Sequence, residues 1–163
     1  MSMAEAQEVS ASAASVTRSE VIARASKWLN PPVPYSMYAP YKDGYRRDCS
    51  GYVTMAWNIE PDMYGGLNTV TLPGVSHPIT KDELKTADIM LNGGPGSENE
   101  NGHVLIFDKW ADASRTSYWA YEQAPPQTVY RKVPYPYFNN NSSFKPYRYN
   151  KIVDDTPSRG SQP

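Results

Sequence analysis

The sequence has very little cysteine: Cys49 is the single one among 163 residues. One thiol can neither close an internal disulfide nor supply a four-cysteine zinc site, so the fold is not a small disulfide or zinc scaffold. No apolar run approaches the roughly 18 residues that a membrane-spanning helix needs. Neither sign of charge is in excess, with 16 Lys and Arg against 17 Asp and Glu. Because nucleic-acid phosphates require a basic surface, we expect neither a membrane span nor a nucleic-acid partner.

Composition divides the chain into a folded middle and two polar ends. Residues 1–16 are small and polar, and they lack the basic start and apolar core of a secretory signal, so we interpret them as a disordered leader. Residues 154–163 have the composition of a solvated, disordered tail. The intervening residues, 17–153, have a length typical of one domain.

Helical patterns come first in this domain and strand patterns later. A capping box formed by Thr17 and Glu20, followed by apolar residues at helical spacing, predicts a first helix that ends at Asn30-Pro31. A second helix is predicted to have Cys49 in its first turn. Runs rich in Val, Ile, Tyr, Trp and Phe predict strands at 88–91, 103–110, 117–123, 127–133 and 147–153. This order indicates an α+β fold with a mostly antiparallel sheet.

Cys49 is a candidate nucleophile. It lies between the charged residues 46–48 and the small polar pair Ser50-Gly51, outside any apolar run. At a helix start the thiol would feel the positive end of the helix dipole, and free backbone N–H groups there could stabilise an oxyanion. Gly51 would let a substrate approach the backbone closely. Buried cysteines are often inert, but the polar surroundings of Cys49 favour a reactive thiol.

The chain contains two histidines, so the candidates for a base beside the thiol are few. His103 follows Gly102 and begins an apolar run, which predicts an imidazole at the mouth of a strand, facing a cleft. His77 lies between Ser76 and Pro78 and is predicted to be exposed in a turn. A surface position is the simple alternative for His103 too. Catalysis by a thiol requires a nearby base, however, and this favours the catalytic interpretation.

A catalytic base needs a polar neighbour to orient it, and the strand predicted at 117–123 offers two. Side-chain alternation puts Glu122 on the face of Tyr118 and Ala120, and Gln123 on the opposite face. We favour Glu122 because a carboxylate holds an imidazolium more firmly than an amide does. A carboxylate in this position would raise the imidazole pKa and shift the pH profile upward. The alternative, Gln123, would produce no such shift.

Three segments carry a resemblance to a known family. They are Arg47-Asp48-Cys49-Ser50-Gly51-Tyr52-Val53, Leu84-Lys85-Thr86-Ala87-Asp88-Ile89 and Gly102-His103-Val104-Leu105-Ile106-Phe107. Together they resemble the NlpC/P60 cysteine peptidases over about residues 20–153. The specific part is the combination of D-C-S-G-Y-V with a later G-H-V. One departure is Thr86-Ala87, where the family usually has Pro-Gly.

The resemblance implies a papain-like α+β core, in which a catalytic cysteine heads a helix that packs on a small antiparallel sheet. It also implies hydrolysis of amide bonds in peptidoglycan stem peptides, often the D-glutamyl link to a diamino acid, through a thioester acyl-enzyme. By position, Cys49 would be the nucleophile and His103 the base. The next strand would supply the third residue, which is commonly His, Asn or Gln in the family and is Glu122 in our alignment.

The resemblance further indicates groups that would bind the substrate or the oxyanion. The family tends to place a tyrosine in a Pro-Tyr segment upstream of the cysteine, and Tyr35 matches this segment best, with Tyr38 as the second choice. Asp48 and Ser50, which flank the cysteine, are further candidates for this role.

The implied chemistry requires no metal ion and no organic cofactor. The expected partner is a bacterial cell-wall peptide, with an immunity or inhibitor protein as a further candidate if the protein is a toxin. We expect a monomer that is secreted or held in the cell envelope, because a wall-cleaving enzyme must reach the wall. Two other functions stay open: an acyltransferase or transglutaminase-like enzyme, and a non-catalytic cell-wall-binding module in which Cys49 is inert.

Overall fold

Both α-helices precede most of the strands in the described chain, which comprises residues 15–97 and 101–155 of a computed structural model. In chain order the elements are β1 (Val16–Thr17), α1 (Arg18–Ser26), β2 (Ser36–Pro40), β3 (Arg46–Arg47), α2 (Cys49–Ala56), β4 (Ser76–Pro78), β5 (Ile89–Asn92), β6 (His103–Trp110), β7 (Ser117–Ala124), β8 (Gln127–Pro134), β9 (Lys145–Tyr149) and β10 (Ile152–Val153). Short 3-10 helices occupy Leu72–Val75, Lys81–Glu83 and Phe138–Asn140.

The main sheet has six strands in the order β4-β9-β5-β6-β7-β8. Every neighbouring pair in it is antiparallel. Two smaller pairs complete the described strands: β1 lies parallel to β10, and β2 lies antiparallel to β3. The predicted α+β class with a mostly antiparallel sheet is therefore confirmed.

Both predicted helices form where the sequence placed their starts. Thr17 caps α1, and its hydroxyl oxygen accepts a hydrogen bond from the backbone N–H of Glu20 at 3.1 Å. Asp48 caps α2, so Cys49 is the first helical residue. Among residues 15–97 and 101–155, no helix combines the length and apolar character needed to cross a membrane.

The sheet is buried on both faces. The face toward the helices carries Ile89, Leu91, Val104, Ile106 and Tyr121, which pack with Val21 and Ala25 of α1 and with Tyr52, Val53 and Ala56 of α2. The opposite face carries Met90, Leu105, Phe107, Tyr118, Ala120 and Val133, which pack with Leu84 and Phe144. Residues of the two sets alternate along each strand, as side chains do in a pleated sheet. Position along a strand therefore decides which core a side chain joins.

The ends of the folded region differ slightly from the predicted boundaries. Val16 is buried and pairs with Ile152, although it fell in the predicted leader. Asp154, assigned to the predicted tail, accepts a hydrogen bond from Nε of Arg18 at 2.8 Å. Residues 1–14 of the predicted leader and residues 156–163 of the predicted tail lie outside the described residues. The single strand predicted at 147–153 is wrong, because a turn at Asn150-Lys151 separates β9 from β10.

The start of α2 packs tightly against β3. A Cβ atom built on Gly51 would lie 2.3 Å from the carbonyl oxygen of Arg46, which is far inside van der Waals contact. Gly51 therefore admits the backbone of β3, and the expectation that it leaves room for a substrate is wrong. This close packing fixes the helix start, and with it the position of Cys49.

Replacing Gly51 with alanine should destabilise the protein, although alanine is normally the better helix former. The overlap with the Arg46 carbonyl must push the helix away from β3, and we expect a loss of about 2 kcal/mol in the free energy of unfolding, measured by urea denaturation. Gly74→Ala is the control, because a Cβ there meets nothing within 4 Å. Equal stability of the two variants would contradict the packing argument.

Candidate active site

Cys49 is held at the N-terminus of α2 by its neighbour Asp48. The Asp48 carboxylate accepts a hydrogen bond from the backbone N–H of Gly51 at 2.8 Å. The N–H groups of Cys49 and Ser50 lie in the first turn, where a helix offers no intrahelical partner. The thiol is free and only 8% of the residue is exposed. Cys49 therefore lies at the positive end of the helix dipole, beside backbone donors that could bind an oxyanion.

Arg46, in β3, forms hydrogen bonds with the residues on either side of Cys49. Its Nε donates to Oδ2 of Asp48 at 2.8 Å, and its Nη2 lies 3.2 Å from Oγ of Ser50. The same guanidinium donates to the carbonyl oxygens of Tyr64, Gly66 and Leu67. It therefore ties the loop after α2 to the residues that flank the thiol.

These contacts give Asp48 and Ser50 a structural role at the start of α2. Both residues are buried, and their side-chain oxygens bind Arg46 and, for Asp48, the helix amide. Asp48 caps the helix, and Ser50 contacts the Arg46 guanidinium that binds this cap. Their predicted part in binding the substrate or the oxyanion stays a prediction.

His103 and Glu122 meet across the antiparallel pair of β6 and β7. Nε2 of His103 lies 2.6 Å from Oε2 of Glu122. Both residues share the strand parity of the face turned away from the helices, to which Leu105 and Ala120 belong. The prediction that Glu122, and not Gln123, would lie beside His103 matches this geometry.

His103 is the first residue of β6, and Cys49 contributes to the electrostatic environment of its imidazole. Because Nε2 is engaged by Glu122, Nδ1 is the ring nitrogen that remains available to a thiol. Burial alone would lower the pKa of His103, but the influence of Cys49 and Glu122 outweighs burial and raises the pKa from 6.5 to about 9. The ring is therefore protonated at neutral pH, next to the thiol.

Glu122 is a fully buried carboxylate with partners on both oxygens. Arg131 on β8 binds Oε1 through Nε at 2.7 Å and through Nη2 at 2.6 Å. Tyr137, in the loop after β8, donates its hydroxyl proton to Oε2 at 2.5 Å. Burial tends to raise the pKa of Glu122, but His103, Tyr137 and Arg131 together hold it below its ordinary value. The carboxylate therefore stays ionised and can pair with the protonated His103.

The other predicted candidates occupy varied positions. Tyr35 is half-buried, and its backbone N–H donates to the carbonyl oxygen of Pro126, next to the turn between β7 and β8. Tyr38 is 91% exposed. Gln123 is buried, and its amide donates to the carbonyl oxygen of Val33 at 3.1 Å. His77 is exposed as predicted, but it lies in β4 and contacts Asn150, so the predicted turn is wrong.

Sequence reasoning missed three residues that shape the site: Arg46, Arg131 and Tyr137. The charge of Arg46, two residues before a capping aspartate, was a local signal that could have suggested its role. Arg131 and Tyr137 had no such signal, because their link to Glu122 depends on the pairing of β7 with β8 and on the path of the following loop.

Comparison with known proteins does not add a family assignment: no protein-family model matches the sequence, and no curated protein matches it. Within the described ranges, no group of three or more His, Cys, Asp and Glu residues is arranged to hold a metal ion. The resemblance to the NlpC/P60 peptidases therefore rests on the motifs around Cys49 and His103.

Replacing Glu122 with glutamine should lower the pKa of His103 from about 9 toward 6.5, because the amide carries no charge to stabilise the imidazolium. NMR titration of the imidazole nitrogens measures this value, with His77 as an internal reference. An unchanged titration of His103 in Glu122→Gln would contradict the assignment.

The same pair gives a pH dependence of stability with a defined sign. The raised pKa of His103 contributes stability that is complete below pH 6.5 and is lost as the pH rises through about 9. The lowered pKa of Glu122 contributes stability that is present above pH 4.5 and is lost as the pH falls through its native pKa. The stability difference between wild type and Glu122→Gln should therefore be largest between about pH 4.5 and 6.5.

Proposed function

We propose that this protein is a cysteine peptidase that uses Cys49 as nucleophile, His103 as general acid and base, and Glu122 to orient His103. The observation that carries the proposal is the environment of the His103 ring, which contacts the buried Glu122 carboxylate through Nε2 and has a pKa that both Cys49 and Glu122 raise. A nucleophile, a base within reach and an oriented base are the three requirements of thiol catalysis.

In the proposed reaction, the thiol proton resides on His103 and the Cys49 sulfur attacks the carbonyl carbon of the scissile amide. A C–S bond forms, and the carbonyl oxygen becomes an oxyanion stabilised by the backbone N–H of Cys49 at the helix start. Collapse of this intermediate breaks the C–N bond, and His103 gives its proton to the leaving amine. A thioester acyl-enzyme remains.

Water completes the cycle in the second half of the reaction. His103, now neutral, accepts a proton from the attacking water as the new C–O bond forms. The C–S bond then breaks, the acid product leaves and the proton returns to the thiol–imidazole pair. Throughout both halves Glu122 accepts from Nε2, so that Nδ1 keeps facing the sulfur.

We propose peptidoglycan stem peptides as the substrate class. The D-C-S-G-Y-V and G-H-V segments support this choice, since they resemble a family that cuts such peptides, and the proposed envelope location follows from the substrate. Tyr35 is retained as a candidate for binding the substrate, because it lies upstream of Cys49 in a Pro-Tyr segment.

Replacing Cys49 with alanine should lower the rate of muropeptide release from purified peptidoglycan by at least about 10³-fold, because no other group can form the thioester. Mass spectrometry of the products identifies the bond that is cut. His103→Gln should be similarly impaired, whereas His77→Gln should keep full activity, since His77 is exposed and lies on β4.

Undiminished product release by Cys49→Ala would refute the peptidase proposal. The same assay with an added primary amine separates the rival enzyme, because an acyltransferase would convert the acid product into an amide. Tight retention of peptidoglycan fragments without any cleavage by the wild type would instead identify a binding module.

A further inference from the structure

The carboxylate of Glu122 has no hydrogen-bonding capacity left beyond its present partners. Each carboxylate oxygen offers two lone pairs. On Oε1 both are used by Nε and Nη2 of Arg131, and on Oε2 they are used by Tyr137 and His103. Any rotation of the carboxylate would break contacts of a side chain that has no exposed surface to gain water in exchange. The orientation of Glu122 is therefore set by its donors.

The two donors besides His103 are themselves held by aromatic contacts. The ring of Tyr137 stacks on Phe144 with a centroid distance of 4.2 Å and meets Phe138 at 5.1 Å. The guanidinium of Arg131 lies over the ring of Phe138 at 4.7 Å. Burial and the nearby Glu122 charge raise the pKa of Tyr137, so its hydroxyl keeps its proton and acts as a donor.

We propose that Arg131 and Tyr137 are positioning residues, which hold the Glu122 carboxylate where it can accept from Nε2 of His103 and so keep Nδ1 directed at Cys49. The catalytic part of this inference rests on the proposed function. The titratable and charged groups that face Glu122 are His103 from β6, Arg131 from β8, Tyr137 from the following loop and Tyr118 on its own strand. Cys49 of α2 faces His103.

The charge of Arg131 and its proposed positioning role predict opposite shifts in the pKa of His103 when Arg131 is removed. Arg131 is a cation near the imidazole, so its removal would by charge alone make His103 hold a proton more tightly and raise its pKa. If Arg131 instead keeps Glu122 ionised and aligned, its removal leaves a buried carboxylate without its main counter-charge, which then takes up a proton or turns away. His103 loses its anionic partner in that case, and its pKa falls.

The test is an NMR titration of the two imidazoles in ¹⁵N-histidine-labelled protein without substrate. We expect Arg131→Met to lower the titration midpoint of His103 from about 9 by at least about one pH unit. Tyr137→Phe, which keeps the ring and its stacking, should lower it by about half as much. In Arg131→Lys, which keeps the charge, most of the shift should be recovered.

Matched controls are available beside each position. Lys132→Met removes the same charge from the next residue of β8, which is exposed. Tyr135→Phe removes a hydroxyl two residues before Tyr137 that has no bond to Glu122. Both should leave the His103 titration unchanged, and the signal of His77 in every variant reports that β4 remains folded.

A midpoint for His103 that stays near 9 or rises in both Arg131→Met and Tyr137→Phe would overturn the proposal. If Arg131→Met fails to fold, Tyr137→Phe and Arg131→Lys decide the question, because each retains most of the packing. Kinetics add a second criterion: Arg131→Met and Tyr137→Phe should lower kcat about 10-fold and leave KM unchanged.

The two proposals can fail separately. If Cys49→Ala releases product undiminished while the titrations shift as expected, the network positions His103 but the peptidase mechanism is wrong. If Cys49→Ala is inactive while Arg131→Met and Tyr137→Phe change neither the His103 titration nor kcat, the mechanism stands and the positioning role is wrong.

Discussion

The buried charge of Glu122 is the constraint on which the arrangement of the site depends. An ionised carboxylate with no solvent contact is tolerated only where hydrogen bonds and opposite charges satisfy it. Strand β6 brings His103, strand β8 brings Arg131, and the loop after β8 brings Tyr137. The pairing of three strands is thereby linked to the protonation of a single imidazole, because Glu122 stabilises the charge that His103 carries beside Cys49.

The second half of the site depends on the packing of a helix end. Gly51 allows the backbone of β3 to touch α2, Asp48 caps the helix, and Arg46 connects the cap to the loop after the helix. None of these groups needs to contact a substrate. Their effect is to hold the thiol at the end of the sheet, where the first residue of β6 can reach it.

Local patterns were sufficient for much of the fold. A capping box located the start of α1, the apolar stretch after Cys49 located α2, and the strand-like runs located β5 to β8 within a few residues. Short strands defined only by their partners were missed: β4 is three residues long, and β1 has two. The division between β9 and β10 was missed because the apolar pattern continues through the turn.

For the candidate site, the sequence by itself predicted Cys49 and His103 as a pair, with Glu122 beside the imidazole. Only one cysteine and two histidines were available, and side-chain alternation separated Glu122 from Gln123. Tertiary structure alone decided that Asp48 and Ser50 serve the helix start, and that Arg131 and Tyr137 enclose Glu122. The physical reason is the distance along the chain over which each interaction acts. Capping and alternation act over a few residues, whereas a buried charge is satisfied by whichever donors the pairing of distant strands brings to it.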